Sequence, residues 1–150
     1  MNSKKENKEC LVVMPVEDDC PGYNRGHFRH VYNQIIRPSI ENAGFYPIRA
    51  DEINPKSILY EVIIEKIATS PIAIFDLSTG NDRIITGLQI RQAFNRPTIV
   101  LADNNKVIVS QSNQIKHIQY EREIGTVSSF FIQLLISDSI RHFTCKSVGH

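Results

Sequence analysis

The sequence predicts an α/β domain in which helices cover both faces of a parallel β-sheet. Short apolar runs are each followed by a polar stretch and then by a segment with helical spacing, at about 30 residues per unit. The runs are apolar throughout, which is typical of parallel strands buried on both faces. Parallel neighbours need a crossover connection, and the predicted helices supply it.

Composition limits the function classes. The chain has 150 residues, about the size of one domain, and its 17 basic and 16 acidic residues give a net charge of +1. We therefore expect no nucleic-acid polymer and no membrane surface as partner. Cys10, Cys20 and Cys145 show no metal-ligand spacing. We expect a cytoplasmic protein with a frayed lead-in over 1–8, one domain over 9–143 and a tail over 144–150.

The first half of the chain predicts two strand–helix units. Residues 10–16 (CLVVMPV) form strand one, and residues 27–43 form a helix that Gly44 should end. Pro38 should kink this helix or break one of its backbone hydrogen bonds. Residues 45–49 (FYPIR) form strand two and lead into the polar segment 50–53. Asn54-Pro55 then reads as the start of a second helix, whose apolar residues are Leu59, Val62, Ile63 and Ile67.

The second half predicts strand three over 71–77, a turn over 78–82, a helix over 83–94 and strand four over 97–102. Residues 106–111 and 116–120 are each candidates for a short strand. A closing amphipathic helix follows, and we assign its apolar residues to the core rather than to an interface. These residues are Val127, Phe130, Phe131, Leu134 and Leu135.

Polar residues follow three of the predicted strands, and ligands of parallel sheets bind beyond the carboxyl ends of the strands. Asp76 is the most informative, because it ends the otherwise apolar run PIAIFD and an ionised group there needs hydrogen bonds or a ligand. The alternative is that Asp76 caps the next helix or fixes the STGND turn through an Asx-type bond. Position alone does not choose between them.

The other polar positions also have two interpretations. Asp51 and Glu52 follow strand two, either as ligand contacts or as solvated loop acids. Tyr23 and Arg25 lie in the first strand-to-helix loop, which could close over a ligand or be a solvated connector. His27 and His30 are three residues apart, but no third ligand is nearby, so we expect surface histidines and no metal site. No Gly-rich phosphate loop follows strand one, and we expect no cofactor.

Three motifs together resemble the nucleoside 2-deoxyribosyltransferase-like group, small bacterial domains related to the TIR fold. They are MP at the end of strand one, RADEI after strand two, and DLSTGN followed by a helix containing IRQAF, within residues 10–101. The resemblance implies a flavodoxin-like three-layer sandwich with about five parallel strands. It also implies a nucleoside-like or nucleotide-like ligand at the strand ends, held in part by Asp76, and a homo-oligomer.

The sequence departs from this family at one position. Active members carry a catalytic Glu in the helix after DLSTGN, and the matching residue here is Gly87. Glycine cannot attack an anomeric carbon or stabilise an oxocarbenium-like transition state. For an active enzyme, Asp82, Asp51 or Asp76 would have to take the place of this Glu from the strand ends, and Asp76 is our catalytic candidate. The ligand-binding candidates are Met14, Pro15, Tyr23, Asp51, Asp76, Ser78, Asn81 and Arg91.

Three functional hypotheses follow. The first is a degenerate family member that binds a nucleotide-like ligand as a sensor or regulatory module. The second is an active N-glycosidase or deoxyribosyltransferase, acting on a nucleoside, nucleotide or NAD, with its acid relocated. The third is a protein-interaction scaffold that retains only the fold.

Overall fold

The computed structural model describes residues 8–17, 19–54, 60–103, 114–122 and 126–148. Five parallel strands form one sheet in the order β2-β1-β3-β4-β5, with helices on both faces. This is the strand order of flavodoxin-like sandwiches, so the predicted fold class is confirmed. The strands are β1 (Glu9–Val13), β2 (Tyr46–Arg49), β3 (Ile72–Asp76), β4 (Thr98–Asp103) and β5 (Ile115–Tyr120).

Five helical elements accompany these strands. The first, α1, spans residues 27–42 as three consecutive segments, His27–Val31, Tyr32–Ile36 and Arg37–Asn42. The others are α2 (Ala50–Ile53), α3 (Glu61–Thr69), α4 (Asp82–Ala93) and α5 (Thr126–Val148).

The sheet separates two apolar cores. Alternate residues of a strand face opposite sides of a sheet, so Val12, Ile74 and Leu101 pack with α1 and α5. Leu11 and Phe75 pack on the other side with residues of α2, α3 and α4. Each central strand therefore has apolar residues on both faces, which explains the continuous apolar runs in the sequence.

A wider helical turn lies just before Pro38 in α1. Tyr32–Ile36 is π-helical, and the Arg37 N–H donates to the Tyr32 carbonyl, five residues back. Proline has no N–H to donate to the carbonyl four residues before it, here that of Gln34. The Gln34 carbonyl instead accepts a hydrogen bond from the Gln133 side chain of α5. This hydrogen bond joins α1 to α5 at the carbonyl to which Pro38 cannot donate.

Several predicted elements have different bounds or lie outside the description. The segment 116–120 is confirmed as part of β5, whereas the candidate strand 106–111 lies outside the described residues, as do Pro55 and Leu59. The polar segment after β2 forms the one-turn helix α2. A tail is expected from residue 144, but helix α5 continues to Val148.

The assignment of the closing helix to the core is wrong for four of its five residues. Phe130, Phe131, Leu134 and Leu135 are exposed, and the side chain of Val127 lies outside the described residues. The buried residues of α5 are Ile132, Ile136, Ile140 and Phe143. Both sets have helical spacing, so periodicity could not decide which side of α5 faces the sheet.

Candidate functional site

Three polar side chains end neighbouring strands on the same face of the sheet. Asp76 ends β3, Asp103 ends β4 and Tyr120 ends β5, with Asp103 directly opposite Tyr120 in the β4–β5 register. All three lie on the side covered by α1 and α5, because they alternate with residues that pack against α3 and α4. We call these three residues, together with Tyr23, Ser78 and Arg122, the carboxyl-edge cluster.

Asp76 is completely buried, and both of its carboxylate oxygens accept hydrogen bonds. The Ser78 N–H donates to Oδ1 at 2.9 Å and the Tyr120 hydroxyl to Oδ2 at 2.7 Å. Burial raises the pKa of Asp76 to about 6, although these hydrogen bonds oppose the shift. The contact with Ser78 is the Asx-type bond of the alternative interpretation, so Asp76 at least fixes the turn that follows β3.

Ser78 connects the ends of all three strands. Its hydroxyl lies 2.9 Å from the Tyr120 hydroxyl and accepts the Asp103 N–H at 3.1 Å. Burial is the main reason that the pKa of Tyr120 is raised, and the neighbouring Asp76 carboxylate adds to it. Tyr120 therefore stays protonated and donates. Ser78 is itself fully buried, so its hydroxyl holds the strand ends together rather than facing solvent.

Asp103 was not among the predicted site residues, and it is the member of the cluster with unused hydrogen-bonding capacity. Its side chain is 2% exposed; Oδ2 accepts from the Tyr23 hydroxyl and from Arg122 Nε, the latter at 3.2 Å. Oδ1 has no hydrogen-bond partner among the described residues. Asp103 ends the apolar run TIVLAD just as Asp76 ends IAIFD, so the argument applied to Asp76 could have found it.

Tyr23 and Arg122 hold the first loop over these strand ends. The Tyr23 hydroxyl lies 3.0 Å from the Ser78 carbonyl oxygen as well as against Asp103, and its one proton can serve only one of them at a time. The Arg122 guanidinium stacks 4.2 Å from the centre of the Tyr23 ring and donates to the Gly22 carbonyl at 2.9 Å. We call residues 20–26 the Tyr23 strap. Of the two residues singled out in this loop, Tyr23 contacts the strand ends, whereas Arg25 is exposed.

His27 supplies a second unused polar atom beside the strap. Its Nε2 is buried and has no hydrogen-bond partner among the described residues. The ring lies 5.0 Å from the Tyr23 ring centre and meets Phe28 edge to face. Burial lowers the pKa of His27, while the Asp103 carboxylate opposes that shift. His30 is exposed, as expected for a surface histidine, whereas His27 is half-buried.

Other predicted site residues have structural partners at the same edge. Asn81 caps α4, because its side-chain oxygen accepts the Arg83 N–H at 2.8 Å. Asp51 forms a two-pronged ion pair with Arg49, both contacts at 2.9 Å, so it is not a simple solvated acid. Met14 and Pro15 are buried, and Met14 belongs to the core under α1.

Arg91 lies at the opposite edge of the sheet, so the prediction that it joins the site is wrong. It is fully buried and donates to the carbonyl oxygens of Ile67 and Pro97, each at 2.8 Å, and to the Thr98 hydroxyl at 3.3 Å. Thr98 begins β4, and Ile67 lies in the last turn of α3. Burial lowers the pKa of Arg91 to about 10. Its role is to satisfy carbonyl groups at the amino ends of the strands.

Gly87 lies on the buried side of α4, with Ile84, Leu88 and Arg91. That side packs against the core on the α3 and α4 face of the sheet, whereas the carboxyl-edge cluster lies on the α1 and α5 face. A carboxylate at position 87 would therefore enter a core position of α4. Substituting Gly87 by glutamate would therefore not place a carboxylate beside the carboxyl-edge cluster.

A cavity of about 730 Å³ lies between α1 and β2, away from the cluster. Two of its arginines are already paired: Arg37 binds Glu41 at 2.8 Å, and Arg49 binds Asp51 while stacking 4.6 Å from the centre of the Tyr32 ring. The carboxyl edge differs in that a buried oxygen, Asp103 Oδ1, has no hydrogen-bond partner among the described residues. We therefore place the candidate ligand contacts at the carboxyl edge.

No family model matches this chain, and no curated protein is significantly similar to it. Among the described residues, no group of three or more His, Cys, Asp or Glu side chains is placed to hold a metal ion. None of the described helices is long and apolar enough to span a membrane. The proposals below rest on the geometry of the described residues and on the motifs of the sequence.

Proposed function

We propose that this chain is a binding module for a small nucleoside-like or nucleotide-like ligand, acting as a sensor or regulatory domain rather than as an N-glycosidase. The observation that carries the proposal is Asp103, a carboxylate at the carboxyl edge that is 2% exposed and whose Oδ1 has no hydrogen-bond partner in the described part of the chain. A buried acceptor without a donor costs about 1–3 kcal/mol, more when charged. A ligand that supplies the donor removes that cost, and because Oδ1 is buried, the side chains that cover it must move aside for the ligand to reach it.

The surroundings favour a neutral hydrogen-bond donor at Asp103. Asp76 and Asp103 place two acidic groups at the edge, and Arg122 is the cation that contacts Asp103. A phosphate beside these carboxylates would be repelled, whereas a sugar hydroxyl or a base amino group can donate to Oδ1. His27, whose ring lies 5.0 Å from the Tyr23 ring, has a buried Nε2 with no partner among the described residues and is a second candidate contact.

Two observations argue against glycosidic cleavage. Both carboxylate oxygens of Asp76 already accept hydrogen bonds, from the Ser78 N–H and from the Tyr120 hydroxyl, so neither is free to act on a substrate in this arrangement. Position 87 lies on the core side of α4, so neither the present glycine nor a substituted acid there adjoins the cluster. A degenerate relationship to the nucleoside 2-deoxyribosyltransferase-like group, with a cytoplasmic location, is part of the proposal. The MP, RADEI and DLSTGN motifs and the strand order support it.

The test is a thermal-shift panel of nucleosides, deoxynucleotides, nucleotide sugars and NAD, with chromatography of the same mixtures for released base. We expect at least one compound to raise the melting temperature without base release. Asp103→Asn should then weaken binding by about 10- to 100-fold, because a hydrogen bond to a charged acceptor contributes about 1.5–3 kcal/mol.

The matched control is Asp138→Asn, which makes the same change on an exposed surface of α5. It should bind as tightly as the wild type. If base is released and Asp76→Ala abolishes the release, the chain is an enzyme and the proposal is wrong. If no compound shifts the wild type, the binding proposal fails and the scaffold hypothesis is favoured.

A further inference from the structure

Helix α5 exposes a continuous apolar surface in its N-terminal half. Phe130 and Phe131 are each 62% exposed, Leu134 is 41% exposed and Leu135 is 36% exposed. We call these four residues the α5 strip. Of the elements in the described ranges, none other exposes more than two large apolar side chains. A contiguous apolar surface of this kind marks an interaction site more often than scattered single residues do.

Three side-chain bonds fix the rotation of α5 so that the strip faces outward. Ser137 donates to the Ser39 carbonyl at 2.9 Å, and Arg141 donates to the Asn42 carbonyl at 3.2 Å. Gln133 donates to the Gln34 carbonyl, which Pro38 leaves without a helical donor. Turning the strip toward the sheet would break all three bonds and expose the buried isoleucines of α5. The strip can therefore be covered only from outside this helix.

The apolar area is what a standard dimer needs. With roughly 200 Å² for a fully exposed aromatic side chain and slightly less for leucine, the strip presents roughly 400 Å² per copy. Two copies would bury roughly 800 Å². An interface of about 1,200–1,600 Å² that is about 57–65% apolar contains roughly 700–1,000 Å² of apolar surface. A two-fold contact centred on the strip falls within that range.

The arrangement of the strip suits a second copy of the same helix. Phe130 and Leu134 form one ridge and Phe131 and Leu135 form another, each with a spacing of four residues. Ridges of this spacing pack into the groove between the matching ridges of a second helix. We propose that the α5 strip is the interface of a two-fold symmetric homodimer in which α5 packs against α5 of another copy.

The charges near the strip argue against other occupants. Asp138 and Arg141, the next exposed charges along α5, have opposite sign and bind each other at 3.1 Å. A strongly acidic or basic partner finds no complementary charge there. Helices that lie on membranes carry a polar face rich in Lys and Arg, whereas the whole chain has a net charge of +1.

Sedimentation equilibrium of the wild-type chain over a range of micromolar concentrations tests the proposal. We expect a dimer of about 34 kDa, twice the 17.1 kDa of one chain. Phe131→Asp should weaken the dimer by at least about 100-fold, because it places a charge in a contact that otherwise excludes water. The milder Leu134→Gln should weaken it by about 10-fold.

The matched control is Phe94→Asp, since Phe94 is 55% exposed but lies at the end of α4. It should dimerise like the wild type. Far-UV circular dichroism of each variant establishes that it is folded. A wild type that is monomeric at every concentration overturns the proposal. So does a dimer that neither strip variant weakens, or one that Phe94→Asp weakens equally. The strip shares no residue with the carboxyl-edge cluster, so either proposal can fail alone.

Discussion

Buried charged side chains have different sets of hydrogen-bond partners at the amino edge and at the carboxyl edge of the sheet. At the amino edge, all three guanidinium nitrogens of Arg91 have oxygen partners. At the carboxyl edge, Asp103 is nearly as deeply buried, but the described residues supply no partner for one of its carboxylate oxygens or for a ring nitrogen of the neighbouring His27. A fully satisfied buried charge supports the fold, whereas a partly satisfied one costs stability unless something else supplies the missing bond.

This difference separates structural from functional interpretations of residues that look alike in sequence. Arg91 and Asp76 were both candidates for the ligand site, and both have complete sets of partners within the protein. Asp103 and His27 do not. The amino edge should therefore respond to substitution mainly through stability. Substitution of Asp103 or His27 at the carboxyl edge should mainly change ligand binding.

Arg91→Met should produce the largest loss of stability. It leaves the buried Ile67 carbonyl oxygen without this donor, while the Pro97 carbonyl keeps the Ala73 N–H, and we expect a loss of about 2–3 kcal/mol in the free energy of unfolding. Urea denaturation measures the change. Arg96→Met, on an exposed residue nearby, should change stability by less than about 0.5 kcal/mol. If Arg91→Met changes stability as little as Arg96→Met does, the hydrogen bonds of Arg91 at the amino edge do not support the fold.

Asp76→Asn should remove a pH dependence of stability. The folded pKa of about 6 exceeds the unfolded value of 3.8, so the folded protein binds this proton more tightly. The resulting stabilisation is complete below pH 3.8 and is lost as the pH rises through about 6. The pKa difference of about two corresponds to roughly 3 kcal/mol.

Urea titrations of both proteins between about pH 4 and pH 7 test this expectation. Wild-type stability should fall with rising pH relative to Asp76→Asn. Comparing the two proteins cancels the opposite contribution of His27, whose lowered pKa costs stability as the pH falls. Parallel stability curves for the two proteins would show that burial does not perturb Asp76.

Tyr23→Phe should loosen the Tyr23 strap with a moderate loss of stability. It removes the hydroxyl that contacts Ser78 and Asp103 but keeps the ring under Arg122, and we expect a loss of about 1–2 kcal/mol. Cys20 lies in the strap and should react several-fold faster with a thiol reagent. Exposed Cys145 is the internal reference. Tyr60→Phe, at a half-exposed tyrosine, should leave the Cys20 rate unchanged; an equal increase there would contradict a specific role for Tyr23.

His27→Phe should have the smallest effect on stability. Whether stability rises or falls shows whether His27 supports the fold. The substitution keeps an aromatic ring against Tyr23 and Phe28 and removes a buried nitrogen without a partner. We expect stability to be unchanged or to rise by up to about 1 kcal/mol, while any ligand-induced thermal shift decreases. A clear loss of stability would mean that His27 supports the fold as Arg91 does.

The sequence was most informative about local elements. Apolar runs separated by helical spacing predicted four of the five strands and the parallel sheet, and the DLSTGN turn lies where the carboxyl edge is formed. The Asx-type bond of Asp76 was also foreseeable, because it joins residues two apart. These features depend on neighbours in the chain, so a linear pattern carries them.

The tertiary structure alone decided which distant side chains meet and which side of each helix is buried. Tyr23 and Asp103 are 80 residues apart in the chain, and Arg122 is 99 residues from Tyr23. Their contact depends on how the strap lies across the sheet. Likewise, both sides of α5 carry apolar residues, and its rotation is fixed by hydrogen bonds to α1. Local periodicity contains neither the distance between remote residues nor the rotation of a helix against its neighbour, because packing and long-range hydrogen bonds set both.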